Sequence, residues 1–186
     1  TERRHVTVLF ADLVGFTALA ASRDAEAVRE LLTRYFDTSR ETIERYGGTV
    51  EKFIGDAVMA VWGAPVARED DPERSVRAGL ELVGNIRDLG REAGLELSLR
   101  AGILTGEAAV TIGATNQGLV AGDLVNTASR LQSVAPAGAV LVGEATRQAA
   151  SAAILFEEAG DQVLKGKEAP VPAWRAVRVV AERGGA

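Results

Sequence analysis

Two aspartates of this chain lie where it turns sharply, and carboxylates at such places can reach a shared ligand. Asp12 follows an apolar run, residues 5–10, whose composition predicts a strand. Asp56 lies between two further strand-like runs. If these strands are neighbours in one sheet, the two carboxylates converge and can hold two Mg²⁺ ions together with a triphosphate. The alternative is a structural role, since aspartate is also favoured in turns for its local hydrogen bonding.

A glycine-containing segment directly after the first aspartate is a candidate for phosphate binding. It consists of Leu13, Val14, Gly15, Phe16 and Thr17, and it leads towards a helix. Glycine lets the backbone come close to an anion, and exposed N–H groups at a helix start favour negative charge. Glycine also simply ends strands, so the segment alone is a weak signal. The chain has no G-x-x-x-x-G-K-[ST] phosphate loop.

Two further polar groups are candidates for handling a phosphorylated ligand. Asn126 and Arg130 are four residues apart on a predicted helix, so they share one face. Such a pair can position a ribose and hold charge on a transferring phosphoryl group, although a solvated helix face is the alternative. Lys165 and Lys167 lie near the start of a predicted strand. They either bind a triphosphate or form an exposed basic turn.

The composition limits the chemistry available to these residues. The chain has 186 residues, a net charge of -5, no cysteine and a single histidine, His5. These counts exclude a thiolate nucleophile and argue against a Ser–His–Asp triad or a multi-histidine metal site. Any metal must therefore be held by carboxylates, which favours Mg²⁺, Mn²⁺ or Ca²⁺. The acidic charge argues against a nucleic-acid surface, and with it against a polymerase-like domain.

A tight hairpin is predicted around Asp56. Residues 49–54 and 57–62 are strand-like, and only two residues, the first of them Gly55, separate these runs. A long helix is predicted before the hairpin. Its apolar positions recur at helical spacing, and Asp24 is expected to cap it.

The second half of the chain continues the alternation of helix and strand. A helix is predicted with Asp71 as its cap and Pro72 at its first helical position. A strand is predicted at residues 97–103, with residues 107–112 pairing back against it. The other predicted elements are a helix at 124–132, a strand at 140–142, a helix at 144–151 and strands near 154–164 and 171–179.

The core order is therefore β-α-β-β-α-β, which predicts an α/β (α+β) sandwich with a ferredoxin-like core and C-terminal additions. In such a sheet the first and third strands are central neighbours. We expect a single domain over residues 1–186, with a frayed tail at 182–186. Because the first residue is Thr1, we also expect the chain to be excised from a longer protein. No apolar run in the sequence is long enough to cross a bilayer.

Four segments of the chain resemble the class III adenylate and guanylate cyclases. They are F-A-D-L-V-G-F-T at 10–17, E-K-F-I-G-D-A-V at 51–58, G-D-L-V-N-T-A-S-R at 122–130 and L-K-G-K at 164–167. They occur in the order of that family, and the resemblance covers about residues 4–180. It implies the class III cyclase fold and, as the activity, conversion of ATP to cyclic AMP and pyrophosphate for intracellular signalling.

The resemblance also implies a role for each candidate residue. Asp12 and Asp56 match the two aspartates that bind two divalent cations, Mg²⁺ or Mn²⁺. The backbone of residues 13–17 matches the triphosphate-binding turn. Matching side chains are the purine-selecting Lys52, the transition-state pair Asn126 and Arg130, and the phosphate-binding Lys165, with Lys167 as the fallback.

The family arrangement implies a head-to-tail homodimer with its active sites at the interface. Asp12 and Asp56 would come from one subunit. The remaining side chains of each site would come from the other subunit, namely Lys52, Asn126, Arg130 and Lys165. We expect a cytoplasmic location, with no nucleic-acid partner and no membrane contact from this domain, although the parent protein could be tethered to a membrane.

The two base-reading positions give conflicting indications about the choice between ATP and GTP. Lys52 favours ATP, because adenine N1 accepts a hydrogen bond whereas guanine N1 carries a hydrogen. The second purine-selecting position of the family is occupied here by Leu119, which cannot accept a hydrogen bond from an amino group. We therefore expect weaker base selectivity, unless a backbone carbonyl or water substitutes. The alternative function is a cyclase-like dimerising regulatory module with weak or no activity.

Overall fold

The structure is a computed structural model that describes residues 1–112 and 118–181. The predicted frayed tail, 182–186, lies outside the described residues. The strands are β1 (Glu2–Leu13), β2 (Thr49–Ile54), β3 (Ala57–Trp62), β4 (Leu99–Ile112), β5 (Gly118–Ala121), β6 (Val140–Gly143), β7 (Ile154–Gln162) and β8 (Val171–Val179). The helices are α1 (Phe16–Ala21), α2 (Ala25–Arg45), α3 (Asp71–Glu92), α4 (Asp123–Val134) and α5 (Glu144–Ala150).

The sheet has the strand order expected of a ferredoxin-like core. Its order is β2-β3-β1-β4-β6-β8-β7, and β5 lies off this path and pairs with β4. The first and third strands are central neighbours, with Phe10 opposite Met59 in an antiparallel pair. The four core strands are antiparallel to their neighbours, whereas β4 and β6 run parallel. The predicted fold class is thus confirmed, and the three strands after β5 extend the core at one edge.

The two faces of the sheet carry separate apolar cores. Helices α2 and α3 pack on one face, around fully buried residues such as Leu9 and Trp62. Helix α4 packs on the other face, here called the α4 face, around Val8, Met59 and Leu131. Each buried side chain of this size stabilises the fold by roughly 1.5–3 kcal/mol. Because side chains alternate along a strand, Asp12 lies on the α4 face, two residues after Phe10.

A close approach of backbones fixes α4 against the sheet. A Cβ atom added at Gly102 of β4 would lie 2.5 Å from the main-chain nitrogen of Gln132 in α4. That separation is too short for any side chain, so glycine is required there. The contact sets the height of α4, and hence of Asn126 and Arg130, above the strands.

The prediction for residues 97–112 is wrong. We expected a strand at 97–103 with 107–112 folded back against it, but β4 is one continuous strand of 14 residues. It pairs along the whole length of β1, from Glu2 opposite Val110 to Leu13 opposite Leu99. The strand that folds back is β5, which pairs with the last residues of β4 and was not predicted. A long antiparallel neighbour thus keeps the chain extended through Gly106, where a turn seemed possible.

The helix starts agree in part with the sequence. Asp24 occupies the N-cap position of α2, as predicted, but its side chain makes no capping hydrogen bond. Helix α3, however, begins one residue earlier than expected, so Asp70 is its N-cap and Pro72 is its second residue. The Asp71 carboxylate instead accepts a hydrogen bond from the main-chain N–H of Arg68, at 2.7 Å. Within the described ranges, no helix has the length and apolar character that a membrane span requires.

Candidate active site

The two aspartates converge at one end of β1, as the sheet order requires. Asp56 occupies the β2–β3 hairpin, and its Oδ2 accepts a hydrogen bond from the main-chain N–H of Leu13, at 3.0 Å. Leu13 directly follows Asp12, so the Asp56 carboxylate lies beside the residue that carries the other carboxylate. Both side chains are partly exposed and can be reached by a ligand. The convergence expected from the sequence is therefore present.

A buried tyrosine of α2 is hydrogen-bonded to the β2–β3 hairpin. The Tyr35 hydroxyl, on α2, donates a hydrogen bond to the main-chain carbonyl of Asp56, at 2.8 Å. Burial raises the pKa of the Tyr35 hydroxyl far above its usual value, and the negative charges of Asp56 and Asp12 raise it further. The hydroxyl therefore stays protonated and can only serve as a donor to that carbonyl. The sequence analysis did not predict this role, because Tyr35 fits the helical spacing of apolar residues in α2.

Removing this hydroxyl is expected to weaken the hairpin. Tyr35→Phe leaves the buried carbonyl of Asp56 without its donor, which should cost about 1–2 kcal/mol of unfolding free energy. Turnover should fall a few-fold, because the carboxylate is held less firmly. The change is measured by urea unfolding beside Tyr46→Phe, whose hydroxyl is more exposed and donates to Glu81 at 3.1 Å. An equal loss in both variants would show that the Tyr35 hydrogen bond has no special role.

Arg100 is a site residue that the sequence analysis missed. It lies opposite Asp12 in the β1–β4 pair. Its Nε donates to Asp12 Oδ1 at 2.9 Å, and a terminal nitrogen lies 3.4 Å from Oδ2. The other terminal nitrogen donates to the main-chain carbonyl of Ser133 at the end of α4, at 2.8 Å. This guanidinium therefore neutralises Asp12 and ties β1 to α4. The available signal was an arginine within the apolar first half of β4.

The donor set suits a hard divalent cation. Asp12 and Asp56 offer carboxylate oxygens, the ligands that Mg²⁺ and Mn²⁺ prefer. No group of three or more His, Cys, Asp or Glu side chains that could hold a metal occurs among residues 1–112 and 118–181. Two carboxylates are nevertheless sufficient where substrate phosphates and waters complete the shell, as is usual for Mg²⁺. The residues present thus fit cations that arrive with a polyphosphate.

Two main-chain N–H groups of the segment predicted to bind phosphate, residues 13–17, already donate to partners within the chain. The N–H of Leu13 is committed to Asp56, and that of Val14 donates to the carbonyl of Ser98 at 2.8 Å. Gly15 is the N-cap of α1, with φ 73. The first intrahelical bond runs from Leu19 N–H to Gly15, at 3.2 Å, so the N–H groups of residues 16–18 precede it. Phe16 and Thr17 therefore belong to the part of the turn that can meet an anion.

A second group of candidate residues meets at α4 and the loop before β8. Arg130 lies against Gly166, where an added Cβ would stand 2.8 Å from one of its terminal nitrogens. Glycine is also needed there for its φ of 83. Lys167 forms a 2.6 Å ion pair with Asp123. That pair leaves the exposed Lys165 as the better candidate for phosphate. Asn126 is exposed one turn before Arg130 on α4.

Lys52 lies on the α4 face, since it is paired across the hairpin with Met59. The β2–β3 register shifts between Val50 and Lys52, so Glu51 is an extra, bulged residue. Glu51 Oε1 accepts a hydrogen bond from the main-chain N–H of Val120 in β5, at 3.2 Å. The main chain of Leu119, the second predicted base-reading residue, pairs with Thr111, and its side chain lies outside the described residues.

The Glu51 carboxyl is expected to make folding stability depend on pH. Burial raises its pKa above the ordinary value of 4.5, and the Val120 hydrogen bond and Lys52 oppose that rise. The native state then binds more protons than the unfolded state above pH 4.5, so stability falls as the pH rises through the raised pKa. Glu51→Gln should therefore be stabilised relative to wild type at pH 7.5, and the difference should shrink towards pH 4.5. Urea unfolding at both pH values measures it, and a difference independent of pH would contradict the account.

The candidate residues thus form two groups within one chain. The first is Asp12, Asp56 and the α1 turn, and the second is Asn126, Arg130 and Lys165. Among the described residues, no hydrogen bond or ion pair joins a candidate of one group to a candidate of the other. Lys52, on edge strand β2, stands apart from both.

Comparisons with known proteins show the family of the chain. Residues 1–174 match the family model described as the adenylate and guanylate cyclase catalytic domain. The chain therefore belongs to the adenylate and guanylate cyclase family, and the resemblance seen in its four motifs is confirmed.

The similar proteins include both adenylate cyclases and a guanylyl cyclase. Over 187 residues the chain is 34% identical to adenylate cyclase 1 of Rhizobium meliloti, covering 96% of this chain and 28% of that protein. It is similar to the crystal structure of the adenylyl cyclase CyaB from P. aeruginosa, with TM-score 0.89, 31% identity and coverage of 100% and 98% of the two chains. The guanylyl cyclase Cya2 is similar too, with TM-score 0.88, 30% identity and coverage of 99% and 97%. The chain spans only 18% and 28% of the lengths of the two curated relatives compared over nearly its whole length.

Proposed function

We propose that this domain is an adenylate cyclase, which converts ATP to 3′,5′-cyclic AMP and pyrophosphate at active sites shared by two copies of the chain. The observation that carries the proposal is the convergence of Asp12 and Asp56, held together through the N–H of Leu13 at 3.0 Å. Membership of the cyclase family supports the reaction class. The product would serve as an intracellular signal.

The reaction needs few groups, and the chain offers them. The ribose 3′-oxygen forms a bond to the α-phosphorus, the bond from that phosphorus to the bridging oxygen breaks, pyrophosphate leaves with that oxygen, and the hydroxyl proton passes to solvent water. Arg130 stabilises the charge that grows on the α-phosphate oxygens, while Asn126 orients the ribose. Lys165 and the N–H groups at the start of α1 hold the outer phosphates.

Asp12 and Asp56 would hold two divalent cations, Mg²⁺ or Mn²⁺. When bound, such cations lower the pKa of the attacking hydroxyl and neutralise the leaving pyrophosphate. Arg100 donates a hydrogen bond to Asp12, at 2.9 Å, and so orients that carboxylate. The guanidinium balances the carboxylate charge, so Asp12 is not an unpaired anion.

A head-to-tail homodimer explains why the site residues form two separate groups. Two-fold symmetry would bring the carboxylates of one copy to Lys52, Asn126, Arg130 and Lys165 of the other. The α4 face is the candidate contact surface. Ile54, which shares the face of Lys52 by strand alternation, is 53% exposed, as expected of an apolar side chain that a partner covers.

ATP is the proposed substrate because Lys52 can donate to adenine N1. Leu119 offers no acceptor for the amino group, which should cost about 1–3 kcal/mol of discrimination. Weaker selection against GTP is therefore part of the proposal. The same residue favours the second candidate function, a dimerising regulatory module with weak or no activity.

The test is cyclic nucleotide formation from ATP, and separately from GTP, with Mn²⁺ and Mg²⁺ over a range of protein concentrations. The proposal expects cyclic AMP, a smaller yield of cyclic GMP, and specific activity that rises as dimers form. No product at concentrations where the protein is dimeric would support the regulatory module instead.

A further inference from the structure

The base-reading side of the proposed site contains a side chain that the proposed chemistry does not use. Glu51 directly precedes Lys52 and is the extra residue of the β2 bulge. In a bulge, two successive side chains can be directed to one face of a sheet instead of alternating. Contacts agree with that arrangement, since Lys52 pairs with Met59 and Glu51 reaches Val120, and both partners belong to the core of the α4 face.

Glu51 connects the two strands that carry the base-reading positions. Lys52 follows Glu51 in β2. Val120, which donates the hydrogen bond to Glu51, follows Leu119 in β5. These strands are not neighbours in the sheet, since β2 pairs with β3 whereas β5 pairs with β4. The 3.2 Å hydrogen bond from Val120 N–H to Glu51 Oε1 therefore crosses the α4 face between two otherwise separate strands.

The bond is made at a cost that a purely structural role does not explain. Among the described residues, Glu51 Oε2 is enclosed and has no hydrogen-bond partner. A buried carboxylate with one unmatched oxygen destabilises the fold, and a neutral side chain could make the same contact. Side chains kept under such conditions commonly serve a site.

We propose that Glu51 is a positioning residue for base selection, which sets the separation between Lys52 and the β5 backbone beside Leu119 and so fixes the width of the purine pocket. This inference rests on the proposed function, in that Lys52 and position 119 flank the purine. With leucine at the second position, selectivity depends on where the backbone is held, because no side-chain acceptor is available there.

Three variants separate the effect of the length of the Glu51 side chain from the effect of its charge. Glu51→Ala removes the bond, and Glu51→Asp keeps the charge but is one methylene too short to reach Val120. Glu51→Gln keeps an oxygen at the same reach. We expect Ala and Asp to change the ratio of kcat/KM for ATP over GTP about five- to tenfold towards one, chiefly through KM, whereas Gln stays within about twofold of wild type. The matched control is Glu158→Ala, at an exposed glutamate of the other edge strand, β7.

Base selectivity is also measured as the ratio of the dissociation constants of ATP and GTP, by equilibrium competition against a fluorescent nucleotide, which needs no turnover. If wild type binds nucleotide but forms no cyclic product, the proposed activity fails while the binding ratio still decides the role of Glu51. An unchanged ratio and KM in both Ala and Asp would overturn the inference, as would a loss in Gln equal to that in Asp. A wild type that binds neither nucleotide would overturn both proposals. If Glu51→Ala does not fold, the Asp and Gln pair gives the decision.

Discussion

Arg130→Ala is expected to lower kcat for cyclic AMP formation by about 10²–10³-fold, while KM for ATP changes only a few-fold. The guanidinium is proposed to meet charge that develops on the α-phosphate during the reaction, so its loss should affect the transition state more than the ground state. The side chain lies beside Gly166 and makes no ion pair within the described ranges, so its removal should leave stability nearly unchanged. Steady-state kinetics and a thermal melt measure both expectations.

The matched control for that prediction is Arg91→Ala, at an exposed arginine near the end of α3. It removes the same charge from the chain at an exposed residue outside the four motifs, and both parameters should stay within about twofold of wild type. If Arg130→Ala raised KM and left kcat intact, the guanidinium would be a simple ATP-binding group. An unchanged kcat/KM would contradict its role altogether.

Asp12→Asn and Asp56→Asn should each reduce metal-dependent turnover by about 10³-fold or more, because each removes one of two carboxylates proposed to hold the cations. Asparagine preserves the shape of the side chain. At position 56 it can still accept the hydrogen bond from Leu13, so the hairpin should persist. At position 12 it weakens the pair with Arg100, and a small loss of stability is expected there. Turnover is measured against Mn²⁺ concentration, with urea unfolding alongside.

The control for the aspartates is Asp37→Asn, at an exposed position of α2. It should change neither the turnover nor its dependence on Mn²⁺. If Asp12→Asn and Asp56→Asn retained wild-type turnover at saturating Mn²⁺, these aspartates would be turn residues after all. If only the Mn²⁺ requirement rose, they would bind metal without being essential to the step.

Local signals made most of the fold predictable. The hairpin at Gly55, the start of α2 after Asp24 and the helical spacing of apolar residues in α2 and α3 each depend on a few neighbouring residues, and the structure has each of them. The strand β4 was mispredicted because its extent is set by β1, about ninety residues away. Strand β5 was missed for the same reason, since four residues carry too little pattern without their partner.

The residues of the candidate site likewise fall into those that local sequence predicts and those that it does not. Asp12, Asp56, Lys52, Asn126 and Arg130 could be named from the sequence because they lie in motifs. The residues that hold them could not, because their contacts join distant parts of the chain. Tyr35 reaches Asp56 across 21 positions, Arg100 reaches Asp12 across 88, and Glu51 reaches Val120 across 69. Nothing close to these residues in the sequence indicates such partners.

The central claim, that two copies of the chain share each active site, is tested most directly by mixing two inactive proteins. Asp56→Asn and Arg130→Ala are combined in equal amounts and allowed to exchange subunits, and cyclic AMP formation from ATP is measured. Random exchange makes half of the dimers mixed, each with one intact site of two, so activity should recover to about a quarter of the wild-type value. If the mixture, shown to contain mixed dimers, formed no more cyclic AMP than either variant alone, the sites would not be shared.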